Sequence, residues 1–330
     1  MAVKPDYTGT TPLRAGLAAL PTPLHEAPRL AEALGMRGRL LLKRDDLTGF
    51  AVAGNKARQL EMLIADMCSS GADVLVTGGM PGSNFCQAAA AAAAWAGLRC
   101  VLVYAGSPSP VRHPNQAAAV HWGARVRWTH DADRASVDAA MEKAAAELIR
   151  EGRTPFVVPR GGATPLGSTG FHLAAAELDA QLDSHATVVV GTGSGGTLAG
   201  LVAGAVAMGR RLRMCGASVS RPPEETARRV LELSRGCARL MGTELPRETD
   251  VILDDARGPG HGRPSEEGER AARLALRTSG IVLDPVYSAK ALGALTRILG
   301  DRRSDPDHTT VFWHTGGLLD AVAGWSQDDQ

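Results

Sequence analysis

The 330-residue sequence has no Cys-x-x-Cys pair, no marked excess of either charge and no apolar run long enough to cross a membrane. Each absence removes a class of function. Five cysteines, Cys68, Cys86, Cys100, Cys215 and Cys237, form an odd and scattered set. They match neither zinc-ligand spacing nor a disulfide framework, so reduced thiols are expected and a metal site is not. Thirty-six Lys and Arg against 35 Asp and Glu leave a formal net charge of +1, too weak a field to draw nucleic acid or an anionic membrane. The longest greasy stretch, Ala88 to Gly97, is far shorter than a span. Met1-Ala2-Val3-Lys4-Pro5-Asp6 lacks the charged-then-apolar order of a signal peptide, and no stretch reads as a linker or repeat. The expectation is a soluble, cytoplasmic protein with a small-molecule partner.

What is present is the composition of a globular chain, 44% hydrophobic and 22% charged, with length enough for two domains. Short runs rich in Val, Ile and Leu recur at residues 40–42, 74–76, 101–103, 126–128, 156–158, 188–190 and 311–313. Between them lie helix-forming stretches at 56–67, 84–95, 135–150, 168–182, 197–208, 223–241, 266–279 and 289–299. That alternation predicts parallel strands covered by helices, an α/β fold. The alanine run Ala88 to Ala94 is compatible with low complexity, but it also lets a helix pack closely on a sheet, which is the reading adopted. Gly and Pro clusters at Gly106 to Pro114 and Pro159 to Gly167 suggest a small domain at 53–161 inserted into a larger one made of 1–52 and 162–330.

Three glycine-rich turns each follow an expected strand and open an expected helix: Gly78 to Asn84, Gly191 to Thr197, and His314 to Gly317. Such turns sit at the carboxyl ends of parallel strands, where ligands bind. In the middle one, Thr192-Gly193-Ser194-Gly195-Gly196-Thr197, backbone N–H groups, two hydroxyls at Ser194 and Thr197 and a helix N-terminus suit a phosphate monoester. It is not a P-loop, and the Asp or Glu of a dinucleotide site does not follow convincingly. Taken alone it is also compatible with a structural tight turn. Asn55 is placed to cap a helix that begins at Lys56. A lysine in a first turn opposes the helix dipole, yet that position lowers its pKa and favours an amine able to condense with an aldehyde. A lone lysine is more often a solvated surface residue.

Read together, Pro21-Thr22-Pro23-Leu24, Lys43-Arg44-Asp45-Asp46-Leu47-Thr48-Gly49, Gly54-Asn55-Lys56-x-Arg58, Gly78-Gly79 with Ser83-Asn84, the Thr192 to Thr197 turn, Asp284-Pro285-Val286-Tyr287 and His314-Thr315-Gly316-Gly317 resemble the D-cysteine desulfhydrase and 1-aminocyclopropane-1-carboxylate (ACC) deaminase family. The resemblance runs in order along almost the whole chain. It implies pyridoxal 5'-phosphate (PLP) as cofactor and the tryptophan synthase β-like fold (fold type II): two open, twisted, mostly parallel sheets flanked by helices, with the site between a large and a small domain. It also implies a homodimer. Lys56 matches the Schiff-base lysine. Ser83 and Asn84 match residues near the substrate carboxylate and the cofactor's phenolic oxygen, Gly193 to Thr197 with Thr192 the phosphate cup, and Tyr287 an active-site tyrosine. Ser288 and Thr315 match positions near the pyridine end, where the deaminase branch carries Glu and Leu and the desulfhydrase branch hydroxyl residues. The chain therefore looks unlike a cyclopropane deaminase; a hydroxyl there suits β-elimination with a good leaving group.

Two departures bear on the substrate. Phe85 stands where the family has a polar residue, and Gly260-His261-Gly262 where it commonly has Gly-Tyr-Gly. An imidazole titrates near 6.5 and a phenol near 10, so His261 changes the proton transfers expected near neutrality; filling space is the plainer role. Cys86 is expected to be a buried helix residue, His314 a packing residue, and Asp45 and Asp46 turn residues holding the loop before Lys56. The expected reaction is α,β-elimination: a small β-substituted amino acid displaces Lys56, Lys56 removes the α-proton, the β-substituent leaves, and hydrolysis gives pyruvate and ammonia. Alternatives are a β-replacement synthase, a sulfo-lyase acting on cysteate, and, outside enzymes, an α/β ligand-binding protein.

Overall fold

The computed structural model describes residues 12–325; the opening run Met1 to Asp6 lies outside them. The strands are β1 (Leu24–Glu26), β2 (Arg39–Arg44), β3 (Val74–Gly79), β4 (Arg99–Tyr104), β5 (Arg125–Trp128), β6 (Pro155–Val157), β7 (Ala186–Thr192), β8 (Leu212–Ser218), β9 (Ile252–Asp255) and β10 (Thr309–His314). The helices are α1 (Pro28–Ala33), α2 (Lys56–Ser69), α3 (Asn84–Trp95), α4 (Pro114–His121), α5 (Ser136–Arg150), α6 (Pro165–Gln181), α7 (Gly196–Ala207), α8 (Pro223–Met241), α9 (Glu266–Ser279), α10 (Ser288–Leu299) and α11 (Leu318–Trp325).

Two sheets result. A six-stranded sheet runs β1-β2-β10-β7-β8-β9, and a four-stranded one β5-β4-β3-β6. Every pairing is parallel except β1 with β2. Both faces of each sheet are covered, which is why the strands read as continuous apolar runs rather than alternating ones. On the small sheet Leu75 and Leu102 point toward α2 and α3, while Val74, Val76, Val101 and Val103 point toward Val137 and Met141 of α5. On the large sheet Leu40, Leu42, Val189 and Phe312 face α10, and Leu41, Val188, Val190, Val311 and Trp313 face α6 and α7. Successive strand side chains alternate faces, and each face has its own helices. The alanine run does what close packing requires: Ala88, Ala89, Ala90, Ala92 and Ala93 of α3 are completely buried.

Six elements were not expected. β8 reads Leu-Arg-Met-Cys-Gly-Ala-Ser, poor in β-branched residues, and becomes a strand because β7 and β9 pair with it on both sides. β1 and β9 are only three and four residues long. In α4, Pro114 starts the helix instead of breaking the chain, with the His113 ring as its cap. α1 likewise begins at a proline, and α11 follows directly on Gly316-Gly317.

A polar network lies under the segment that carries Lys56. Asp45 was expected to hold a turn, and it does open a single 3-10 turn, but its carboxylate is wholly buried. It accepts two bonds from Arg58 Nε at 2.9 and 3.0 Å, one from Arg58 Nη2 at 2.8 Å, one from Trp313 Nε1 at 2.7 Å and one from Thr22 Oγ1 at 2.9 Å. Arg58 also reaches Glu177 of α6, which Lys43 joins from β2. Burial alone would raise the Glu177 carboxyl, but Arg58 and Lys43 outweigh it and hold it at about 2. Removing one member leaves a buried charge unpaired, at a cost of about 3–5 kcal/mol. Asp45→Ala is therefore expected to lower the urea-unfolding free energy by about that amount, whereas Asp46→Ala, at the partly exposed neighbour bound to Arg44, should change it by under about 1 kcal/mol. Equal midpoints for the two variants would refute this assignment.

Candidate active site

The loops after β3, β7 and β10 converge on one cleft between the two sheets, with Lys56, Ser83, Asn84, Phe85, Tyr287, Thr315 and the turn from Gly191 to Gly195 on its walls, together with Thr197. Lys56 is the first residue of α2. Asn55 does not cap that helix: its own backbone is helical, so its side chain points away from the first turn. Its amide instead donates to Thr197 Oγ1 at 3.0 Å, and its N–H to the Thr315 carbonyl at 3.0 Å. The lysine loop is thereby stitched to both other loops.

Among the described residues Lys56 Nζ has no hydrogen-bond or ion-pair partner. Enclosure in protein lowers its pKa to about 8, against the opposing pull of the Asp284 carboxylate. Opposite it, Gly195 at φ 96° takes the N-cap position of α7 and offers no capping side chain. The N–H groups of Ser194, Gly195, Gly196 and Thr197 donate to no acceptor among the described residues, the orphan donors of a helix start left facing a cleft. A Cβ at Gly193 would stand 2.8 Å from the Tyr287 ring, so only glycine lets the turn and the ring lie this close. Arg221 and Arg229 hold the turn from outside through the Gly193 and Ser194 carbonyls.

The far wall is built by Asp284, which sequence reasoning quoted in a motif without giving it a role. Its carboxylate accepts the N–H groups of Val286, Tyr287 and Ser288 at 3.0, 2.7 and 2.9 Å, and the Ser288 hydroxyl as well. Ser288 is thus fully buried behind Asp284; Asp284 and Thr315, but not Ser288, are among the residues lining the cleft. Tyr287 is kept neutral: burial, then Asp284 and Asp320, push its phenol up. His261 stands outside the cleft wall, edge-on to Tyr287 with ring centroids 6.0 Å apart. Burial, then Arg134, Lys290 and Arg221, lower its pKa to about 4. It is a neutral imidazole at pH 7, not the group titrating near neutrality that its residue type suggested, and its Nδ1 has no partner among the described residues.

Ser83 caps α3 by accepting the Cys86 N–H at 3.2 Å, and Phe85 is buried with its ring against Gly162. Cys86 is buried in α3, and burial pushes its thiol up to about 12. His314 is buried at the end of β10, where its Nδ1 accepts the Gly316 N–H. Three residues that sequence reasoning passed over stand behind Asn84: His113, Asn115 and Asp320. No group of His, Cys, Asp and Glu among the described residues could hold a metal ion, and no helix there is long and apolar enough to cross a membrane.

An unpartnered amine of lowered pKa facing a ring of orphan N–H donors fits pyridoxal phosphate, with Lys56 for its aldehyde and residues 194–197 for its phosphate. The comparisons agree. The model of the family described as "Pyridoxal-phosphate dependent enzyme" matches residues 16–316, and the chain belongs to that family. A D-cysteine desulfhydrase of Klebsiella pneumoniae (strain 342) is 34% identical over 317 residues, covering 92% of this chain and 94% of its own. One from Salmonella choleraesuis (strain SC-B67) is 34% identical over 313 residues, with the same coverage. A crystal structure of an ACC deaminase homologue superposes with a TM-score of 0.87 at 33% identity, over 97% of this chain and 96% of that one. The chain is thus a PLP-dependent enzyme of fold type II.

The lowered Lys56 pKa has a measurable consequence. Only the unprotonated amine condenses with an aldehyde, so the rate at which apoprotein takes up PLP should rise with pH and level off above about 8, where an ordinary lysine would keep climbing toward 10.5. Stopped-flow absorbance of apoprotein mixed with PLP measures it, and a rate still rising above pH 9.5 or so contradicts the assignment.

Proposed function

We propose that this protein is a PLP-dependent lyase that eliminates the β-substituent of a small β-substituted amino acid, as a D-cysteine desulfhydrase does, to give pyruvate, ammonia and the leaving group. The observation that carries the reading is the unpaired Lys56 amine across the cleft from the donors of α7. Bound there, pyridoxal phosphate supplies an electron sink that makes the α-proton of an amino acid removable. Lys56 Nζ, with a pKa near 8, takes that proton. The start of α3 takes the substrate carboxylate: Ser83 offers its hydroxyl, and the N–H groups of Asn84 and Phe85 have no acceptor among the described residues. Tyr287, a neutral phenol, stands ready to give a hydrogen bond to the departing group, with neutral His261 behind it. Phe85 makes the wall beside the carboxylate site apolar and keeps water from it. Placement in the cytoplasm as a homodimer belongs to the same reading, and the five free cysteines support a reducing compartment. A division into a small domain at 53–161 and a larger remainder belongs to it too, supported by the way the boundary puts one sheet in each.

With D-cysteine and PLP-loaded protein, pyruvate, ammonia and sulfide should appear in equal amounts. Lys56→Ala should lose at least about a thousandfold in turnover, within the range of a general base, and lose the cofactor's visible absorbance. Loaded wild-type protein that yields no pyruvate from any D or L β-substituted alanine would refute the lyase reading.

One observation favours a second substrate. Arg134, half-buried, donates to no acceptor among the described residues, and its pKa is lowered first by burial and then by Arg221 and Arg160. It acts electrostatically on both Tyr287 and His261. A guanidinium near Tyr287 with, among the described residues, no hydrogen-bonded acceptor and only Asp138 as opposing carboxylate suits a β-substituent carrying its own negative charge, such as the sulfonate of cysteate, released as sulfite. Arg134→Ala should then cut kcat/KM for cysteate by about 10–100-fold and leave that for cysteine unchanged; equal effects on both would exclude it.

A further inference from the structure

Asp320 projects from α11, just after the Thr315 loop, toward the other half of the molecule. Its side chain is 9% exposed. One carboxylate oxygen accepts from Asn84 Nδ2 at 3.0 Å and the other from Asn115 Nδ2 at 2.9 Å. His113 Nε2 lies 3.3 Å from the second oxygen. His113 Nδ1 accepts the Asn115 N–H at 3.2 Å, so the neutral ring carries its proton on Nε2, aimed at Asp320. Asn115 Nδ2 also lies 3.1 Å from Asn84 Oδ1 and 3.0 Å from the Gly82 carbonyl, so its two hydrogens are shared among three acceptors. Among the described residues every hydrogen-bond and ion-pair partner of this carboxylate comes from the four-stranded-sheet half, and within this cluster Asp320 alone comes from the other.

The arrangement decides which way round the Asn84 amide sits. With its nitrogen on a carboxylate and its oxygen on the Asn115 amide, a flip would set two oxygens against each other and two NH2 groups against each other. The Nδ2 group has two hydrogens and Asp320 takes one, which leaves the second N–H for the cleft that Asn84 lines. Without Asp320 the amide oxygen could turn there instead. We infer that Asp320 is a positioning residue, which fixes Asn84 so that an N–H donor meets the bound cofactor and which fastens α11 to the half of the molecule carrying α3 and α4. The inference rests on the PLP reading above. Burial, then Asp284, raise the Asp320 pKa to about 7 against the Asn84 amide, which lowers it, so the carboxylate is the charged acceptor above neutrality and the test is run at about pH 8.5.

A double-mutant cycle tests it, with PLP affinity measured by titrating apoprotein and following absorbance. Asp320→Asn should raise the Kd about tenfold, as expected for losing a hydrogen bond to a charged acceptor. In an Asn84→Ala background the same change should raise it no further, because the amide through which Asp320 acts is gone. The cofactor's absorption maximum should move in Asp320→Asn and not move again in the double variant. A Kd that rises equally in both backgrounds, or in neither, overturns the inference. If Asp320→Asn does not fold, Asp320→Ser carries the same cycle. Wild-type apoprotein that binds no PLP would instead sink the cofactor reading itself, so the two failures are distinct.

Discussion

The buried bond between Arg58 and Asp45 is the constraint on which the rest of the site depends. Two residues after Lys56, α2 is pinned by a guanidinium that cannot leave Asp45 and Glu177 without stranding charges in a water-free interior. Trp313 on β10 completes the same carboxylate, so the strand that delivers Thr315 and the helix that begins at Lys56 are positioned by one group. A network of this kind contributes little net stability compared with apolar packing. What it contributes is a fixed relation between an amine and the loops around it, which a fluid apolar contact would not give.

Around that anchor the site consists of helix beginnings. α2, α3 and α7 each start at the cleft, and among the described residues each leaves something unsatisfied there: a lysine with no partner, a serine with two free N–H groups beside it, and a turn of four orphan donors. The parallel sheets put these ends on one side, because strand ends and helix starts alternate along the chain. Charge is managed by the same geometry. His261 and Tyr287 are both held neutral by burial and by their neighbours, while Asp284 is surrounded by three backbone donors.

The strong, local signals were legible in the sequence. Runs such as Val188 to Val190 and the helices over 84–95, 223–241 and 266–279 could be read because periodicity and caps agreed there. Lys56, Ser83, Asn84 and the Thr192 to Thr197 turn were singled out because their motifs, taken together and in order, resemble a known family; taken alone, the lysine also suited a solvated surface and the turn a structural role. β8 was missed because its strand character comes from its neighbours, and α4 because a proline reads alike in a loop and at a first turn. Asp45 looked like a turn residue, since nothing adjacent in sequence announces Arg58 and Trp313. Asp320 and Asn115 are 205 residues apart, and single-residue chemistry cannot say that they meet. The Asn55 cap failed for a related reason: its true partners, Thr197 and Thr315, are distant in sequence.

That stitching also sets an order of events in the life of the molecule. The loop bearing Lys56 is held by Thr197 and Thr315, so residues from the first fifth, the middle and the last part of the sequence must all be present before the amine and the phosphate donors face each other. A chain growing on the ribosome can build the four-stranded sheet early, yet it has no finished place for the cofactor until Thr315 has emerged. Cofactor capture is therefore a late step of biogenesis, and a stalled or shortened nascent chain lacks the assembled pocket that would trap the reactive aldehyde.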